Sequence, residues 1–265
     1  MTINSYLTDL AKAAVIRDQE KENIKLSVST LKKRLAEYFG NEVTDNYIFG
    51  SYDRRTILPR SMDSNSDVDY LIVFADRSYK PQTYLDRLLR FVEKSYPTSE
   101  IYQSNPTIVL SLNHINFELV PAVKIPLYGL QIPAKASAYQ DWIGTNPTSI
   151  NNELINANKS HNNLIKPLVR VVKFWNTQNG RPFDSYSLEM KIIENQFWVR
   201  WALGGQLKDY FFDFMESLDT ELFAPKSQKE TVARAKKILD EVKNFETAYN
   251  FTQAEDELKK LFLDL

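Results

Sequence analysis

Apolar residues recur along this chain with two different periods. From about Asn4 to Tyr38 they fall at helical spacing. Leu7, Leu10, Ala11 and Ala14 make one apolar face, and Ile24, Leu26, Val28, Leu31, Leu35 and Phe39 a looser second one. Gly40-Asn41 stops this predicted long helix. Asn46-Tyr47-Ile48-Phe49 then reads as a short strand, and Tyr70-Leu71-Ile72-Val73-Phe74 as a buried one. Tyr84 to Tyr96 returns to helical spacing, with Leu85, Leu88, Leu89 and Val92 inward. Thr107–Leu112 and Ile115–Val120 read as a hairpin turning at Asn113-His114, which makes His114 a turn residue, with Pro121 ending the second strand. Residues 124–147 carry Pro126, Gly129, Pro133, Gly144 and Pro147 and read as an irregular connection, with Trp142 as a packing anchor.

From Asn151 onward the pattern is helical. Leu164 to Trp175 carries Leu164, Ile165, Leu168, Val169, Val172 and Trp175 on one face, and Pro167 is tolerated in the first turn. Gly180-Arg181-Pro182 breaks it, and Asp184 or Ser185 caps the next helix. Met190–Leu203 reads as one largely buried helix with Phe197, Trp198 and Trp201, ended by Gly204-Gly205. Leu207–Leu218, Thr231–Phe245 and Gln253–Leu263 read as further helices. Strands mixed with helices, followed by helices alone, predict an α+β architecture.

The polar residues that interrupt this pattern carry the chemistry. Asp67 and Asp69 stand two apart at the head of an apolar strand, so both side chains point to one face. Adjacent like charges there call for a cation or an open cleft. Glu118, opposite the apolar face of its own strand, can complete a cluster of three carboxylates; taken alone it reads as a solvated sheet-face acid. Oxygen-only ligands select hard cations, above all Mg²⁺. Gly50-Ser51 leaves one strand and opens a short helix, an arrangement that presents backbone N–H groups and a hydroxyl to phosphate. Arg54, Arg55 and Arg60 follow as candidates to face phosphate, with surface solvation the plainer alternative for each. Together these parts suit two-metal nucleotidyl transfer.

Composition narrows the reading. The chain has 265 residues, a formal net charge of −1, no cysteine and two histidines. Disulfides, thiolate catalysis and cysteine-bound zinc are excluded. His114 and His161 are too far apart in sequence to suggest a histidine metal site. A near-neutral charge gives no sign of a bulk grip on long nucleic acid. With no long apolar span and no leader-like N-terminus, a cytoplasmic protein with no membrane partner is expected.

The ordered set of Phe49-Gly50-Ser51, the Asp67-Val68-Asp69 triplet and a later lone Glu118 resembles the DNA polymerase β-like nucleotidyltransferase superfamily. Within it, Gly50-Ser51-Tyr52-Asp53-Arg54-Arg55-Thr56 and the Asp67–Phe74 run are similar to the bacterial cGAS/DncV-like nucleotidyltransferases (CD-NTases). The resemblance implies a two-lobed fold: a catalytic lobe over residues 1–148, braced by a long N-terminal helix, and a helical nucleotide-binding lobe over 149–265. It implies Asp67, Asp69 and Glu118 as catalytic and metal-binding residues holding two Mg²⁺ ions, with Mn²⁺ as a substitute. Gly50, Ser51 and Arg54 would bind nucleotide. So would Lys173 through the triphosphate, Ser185 through phosphate and Tyr186 by stacking on the base. Lysine gives a polyphosphate a compact charge, and an aromatic ring stacks on any base. The alternative for Lys173 is a solvated helix charge, and for Tyr186 a core aromatic.

Such an enzyme would join ribonucleoside triphosphates into a cyclic di- or oligonucleotide second messenger without a nucleic-acid template. The product would reach a downstream effector, in that family one of anti-phage defence. Two alternatives compete. An RNA-end transferase of the CCA-adding or poly(A) kind must grip a large polyanion, which the net charge disfavours. A catalytically inactive nucleotide-binding scaffold would have little reason to keep all three carboxylates and the Gly-Ser turn.

Overall fold

The computed structural model describes residues 2–127, 129–135, 141–195 and 197–262; the side chains of Trp198 and Trp201 lie outside the described part. In chain order the elements begin with α1 (Ile3–Ala13), α2 (Asp18–Phe39), β1 (Val43–Ile48), α3 (Gly50–Arg54), β2 (Asp67–Phe74) and α4 (Pro81–Ser95). β3 (Glu100–Ser104), β4 (Thr107–Ser111), β5 (Asn116–Ile125), β6 (Gly129–Pro133) and β7 (Trp142–Thr145) follow. The remainder is helical: α5 (Pro147–Ser160), α6 (Ile165–Gln178), α7 (Ser185–Glu194), α8 (Trp198–Leu203), α9 (Leu207–Ser217), α10 (Lys226–Thr247) and α11 (Phe251–Lys259). None of the described helices is long and apolar enough to cross a membrane.

Two compact units share the chain. Ile16–Arg60 and Ser64–Asn151 form one; Met1–Val15, Ser61–Asp63 and Asn152–Leu265 form the other.

The first unit is built on a seven-stranded sheet in the order β1-β2-β5-β4-β3, with β6 pairing beyond the end of β5 and β7 pairing β6. Among the described residues only β2 and β5 run parallel; the other pairs are antiparallel. A parallel pair cannot be closed by a tight turn, and here α4, β3 and β4 make the crossover. One face of the sheet carries the main core: Val68, Tyr70, Ile72 and Phe74 of β2 and Phe117 and Leu119 of β5 join Ile24, Val28, Leu31, Leu35 and Phe39 of α2 and Leu85, Leu88 and Val92 of α4. The opposite face holds a smaller cluster of Leu71, Val73, Val120 and Ala122, and at its head it is polar.

The helical unit packs α1 against α6, α9 and α11. Leu7, Phe174, Trp175, Phe211, Phe214 and Phe262 are fully buried there. Phe174 stacks on Phe262 with centroids 6.0 Å apart. Asp63 is buried in this unit and receives Arg181 and, at 3.3 Å, the Thr177 hydroxyl.

Four expectations are corrected. The predicted helix over Asn4–Tyr38 is two helices, interrupted between Ala13 and Asp18; α1 ends on Ala14, whose N–H returns to the Leu10 carbonyl while that of Val15 returns to Lys12, and the second begins with Asp18 and Glu20 in its first turn. Pro121 does not end β5, which runs to Ile125. β4 pairs β5 only as far as Leu119 and the pairing with β6 starts at Val123 of β5, so Pro121 sits where β5 has a neighbour on one side only. The connection over 124–147 contains β6 and β7, short strands whose Gly129 and Pro133 fall at their ends. Trp142 is a packing anchor as expected, edge-on to Tyr84 at 5.7 Å. Finally, Met190–Leu203 is not one buried helix. It breaks at Phe197, whose φ is +41°, and beyond the break Val199 and Leu203 are exposed.

Candidate active site

The site starts from the turn between β1 and α3. Phe49 is extended and its N–H donates to the carbonyl of Asp69 at 3.0 Å, so the turn is tied to β2 at an acid. Gly50 has φ +71°, a conformation costly for any residue with a Cβ. A Cβ built there would stand 1.8 Å from Asp69 Oδ2 and 2.6 Å from its Cγ. Only glycine lets the backbone come this close to the carboxylate. The Ser51 carbonyl accepts the N–H groups of Thr56 (2.9 Å) and Ile57 (3.1 Å), and Arg55 reverses the chain with φ +61°. Ser51 is thereby held, half-buried, one residue after the glycine.

Register brings the acids together. Across the parallel β2–β5 pair, Asp69 is the partner of Glu118 and Asp67 the partner of Asn116. All four lie on one face and are half-buried, while Val68, Tyr70, Phe117 and Leu119 between them are buried on the other. Thr107 Oγ1 reaches Glu118 Oε2 at 3.5 Å and also donates to the Ser104 carbonyl at 2.9 Å. Burial pushes the Glu118 carboxyl up from 4.5 to about 7; the Asp67 charge pushes the same way, and the Thr107 hydroxyl opposes both.

The donors are all hard oxygens, and a divalent ion would relieve the repulsion that raises Glu118. The residues therefore suit Mg²⁺. Among the described residues no three acidic or histidine side chains stand converged as ligands of one ion. The backbone sets Asp67, Asp69 and Glu118 on neighbouring positions of one sheet face.

Other expected residues are placed as follows. Arg54 is buried, not displayed on the surface, because the short helix turns it inward; Arg55 is exposed and Arg60 half-buried. His114 lies in the β4–β5 turn as expected, its Nε2 3.1 Å from Ser27 Oγ of α2. In the helical unit Lys173 is a buried residue of α6, not a solvated helix charge. Ser185 is the first residue of α7, capped by Asp184, whose Oδ2 accepts the Ser187 N–H at 2.8 Å. Tyr186 follows it and is 47% exposed, so it is not a core aromatic. The loop between α6 and α7 is clamped by Asn176, fully buried, which donates to the Phe183 carbonyl (2.8 Å) and accepts its N–H (3.0 Å).

Sequence reasoning passed over Asn116 and Asn176. Asn116-x-Glu118 has the same two-residue spacing as Asp67-x-Asp69, and that spacing marks Asn116 as a face-mate of the acids. Nothing in the sequence distinguishes Asn176 from a solvated helix residue.

A mixed sheet with a paired Asp-x-Asp and a third carboxylate, beside a glycine turn pressed on the second acid, defines the polymerase β-like nucleotidyltransferase fold. Two solved CD-NTases share it over nearly their whole length. Escherichia coli MS115-1 CdnC, solved with ATP, superposes with a TM-score of 0.71 at 13% identity, covering 98% of each chain. Vibrio cholerae DncV, a cyclic AMP-GMP synthase, gives 0.71 at 12% identity over 95% of this chain and 92% of that one. Residues 1–158 match the model of the Second Messenger Oligonucleotide or Dinucleotide Synthetase domain, SMODS. The chain belongs to that family and is a nucleotidyltransferase of the cGAS/DncV-like type. A probable cyclic nucleotide synthase of Bacillus cereus (strain VD146) is 24% identical over 257 residues, covering 83% of this chain and 74% of the relative.

Proposed function

We propose that this enzyme joins ribonucleoside triphosphates into a cyclic di- or oligonucleotide through successive attacks of a ribose hydroxyl on an α-phosphorus. Each step forms one P–O bond, breaks the α–β phosphoanhydride and releases pyrophosphate. The observation that carries the reading is register: Asp69 faces Glu118 across β2 and β5, and Gly50 lies against the carboxylate of Asp69.

Asp67, Asp69 and Glu118 would hold Mg²⁺, which when bound supplies charge neutralisation at the α-phosphate and activates the attacking hydroxyl. Gly50 and Ser51 offer backbone N–H groups and a hydroxyl to the triphosphate. Glu118 would bind the ion that activates the attacking hydroxyl, or accept its proton. Lys173 offers charge to a polyphosphate, Ser185 a hydroxyl, and Tyr186 an exposed ring for a base. The division of labour expected for 1–148 and 149–265 is proposed for the two units themselves: catalysis in the sheet unit, Ile16–Arg60 with Ser64–Asn151, and nucleotide binding in the helical unit. The product would signal to a downstream effector of anti-phage defence within the cytoplasm.

Incubating the protein with Mg²⁺ and ribonucleoside triphosphates, singly and mixed, with and without tRNA, tests this. A small phosphatase-resistant product formed without RNA is expected, and Asp67→Ala should abolish it while leaving the thermal melt near that of the wild type. Label appearing only on RNA would transfer the protein to the RNA-end class. No turnover under any condition would make it a scaffold.

A further inference from the structure

The segment between α3 and β2 changes unit twice. Ser61, Met62 and Asp63 are built into the helical unit, although Arg60 before them and Ser64 after them belong to the sheet unit. The excursion is closed at its base. Arg60 Nη2 donates to the Ser64 carbonyl at 3.2 Å, and the Arg60 N–H reaches Glu20 Oε1 of α2 at 3.4 Å. At its tip the buried Asp63 carboxylate accepts the Arg181 guanidinium and the Thr177 hydroxyl. A buried carboxylate is costly unless it is paired, so the tip is committed to this seat.

Both ends of that contact lead to functional residues. Arg181 lies in the α6–α7 loop with φ +55°, and its N–H donates to the Asn176 carbonyl at 2.7 Å. Asn176 in turn clamps Phe183, just ahead of Asp184 and Ser185. In the other direction only Ser64, Asn65 and Ser66 separate Asp63 from Asp67, a span of at most about 14 Å. Asp67 opens β2, and the ladder with β1 reaches β2 only from Tyr70 onward. Asp67 therefore leans on Asn116 of β5 and on the segment that leads in from Asp63.

We propose that Asp63 is a positioning residue for the metal-binding acids. Its seat against Arg181 and Thr177 fixes where Asp67 enters the strand. The grip on a divalent ion in the sheet unit is thereby tied to the order of the loop that leads to Ser185 and Tyr186. The inference rests on the roles proposed above for those residues and deepens them. Asp63 acts through Asp67 and is itself no ligand. Coupling of this kind changes affinity by about 5–150-fold.

Mn²⁺ binding, followed through the electron paramagnetic resonance signal of the free ion, separates this role from that of a purely structural ion pair. The wild type should bind Mn²⁺, and Asp69→Ala should remove that binding. Asp63→Asn keeps the shape of the side chain and removes its charge; Arg181→Ala removes the partner. Each should weaken Mn²⁺ binding about tenfold, read where urea unfolding shows the variant to be folded. The double variant should lose no more than either single one, because both break the same contact. Thr177→Val, the mildest change, should weaken binding about threefold and keeps the test open if a charge variant fails to fold. Wild-type affinity in every folded variant overturns the assignment. So do losses that add in the double variant, or a wild type that binds no Mn²⁺ through Asp69. A wild type that binds Mn²⁺ and makes no product strikes the synthase reading and leaves this one standing.

Discussion

Replacing Gly50 by alanine is the sharpest test of how the site is assembled. Two costs arise in the structure. At φ +71° a Cβ is disfavoured by about 1–2 kcal/mol. The Cβ would also stand 1.8 Å from Asp69 Oδ2, 2.6 Å from Cγ and 2.9 Å from the Asp69 Cβ. Rotating the carboxylate clears the first two contacts but not the third, so the backbone of the turn must also give. Overpacking of this kind adds about 1–3 kcal/mol, for a total of about 2–4 kcal/mol. The larger consequence is for Asp69, which is pushed from its place opposite Glu118. A misplacement of about 1 Å at such a centre costs on the order of a hundredfold in rate. The assay is a double-mutant cycle: urea unfolding of wild type, Gly50→Ala, Asp69→Ala and the double variant, with product formation for Gly50→Ala. In the Asp69→Ala background the carboxylate is gone and Gly50→Ala should cost about 1–2 kcal/mol less. Equal costs in both backgrounds, or a Gly50→Ala enzyme of wild-type rate, would refute the reasoning.

Other outcomes follow from the same geometry. The raised Glu118 carboxyl contributes stability that is fully present below 4.5 and is lost as pH climbs through about 7. The full shift is worth about 3 kcal/mol, and solvent reaching a half-buried group leaves about 1–2 kcal/mol of it. In EDTA, melts between pH 5 and 8 should therefore fall for the wild type and stay flat for Glu118→Gln, and added Mg²⁺ should abolish the fall; parallel curves would mean that Glu118 feels neither burial nor Asp67. Tyr186→Ala should weaken nucleotide binding about tenfold with an unchanged melt, since the ring is half exposed; unchanged affinity would end its stacking role. Arg181→Ala should destabilise by about 1–3 kcal/mol by stripping a buried carboxylate, Asp63, of a charged partner, read by urea unfolding; a neutral result would mean that Thr177 and solvent suffice.

The acids were legible in the sequence because alternation fixes which face a residue takes: Asp67, Asp69 and Glu118 each interrupt an apolar strand on the same side. The β4–β5 hairpin at Asn113-His114 and the cap at Asp184 were legible for similarly local reasons. What escaped was non-local. Pro121 reads as a stop, and only the absence of a strand beside it allows β5 to continue. β6 and β7 are five and four residues long, too short for a period to emerge among prolines and glycines. The break after Ala13 has no proline or glycine to announce it, and the break at Phe197 sets an aromatic residue in a left-handed conformation that composition does not foretell. Arg54 looks like any arginine of a short polar helix, and nothing in its spacing announces that it is buried.

The parallel pairing of β2 with β5 has a consequence for how the enzyme comes into being. Its two acid-bearing strands are never neighbours along the polypeptide: α4, β3 and β4 must be laid down before Glu118 can arrive beside Asp69. A growing chain that has emerged only as far as His114 carries both aspartates and no third acid. Chemistry is thus withheld until the crossover has docked, and a nick within residues 75–115 would separate the acids, although none of those residues is itself one of the three.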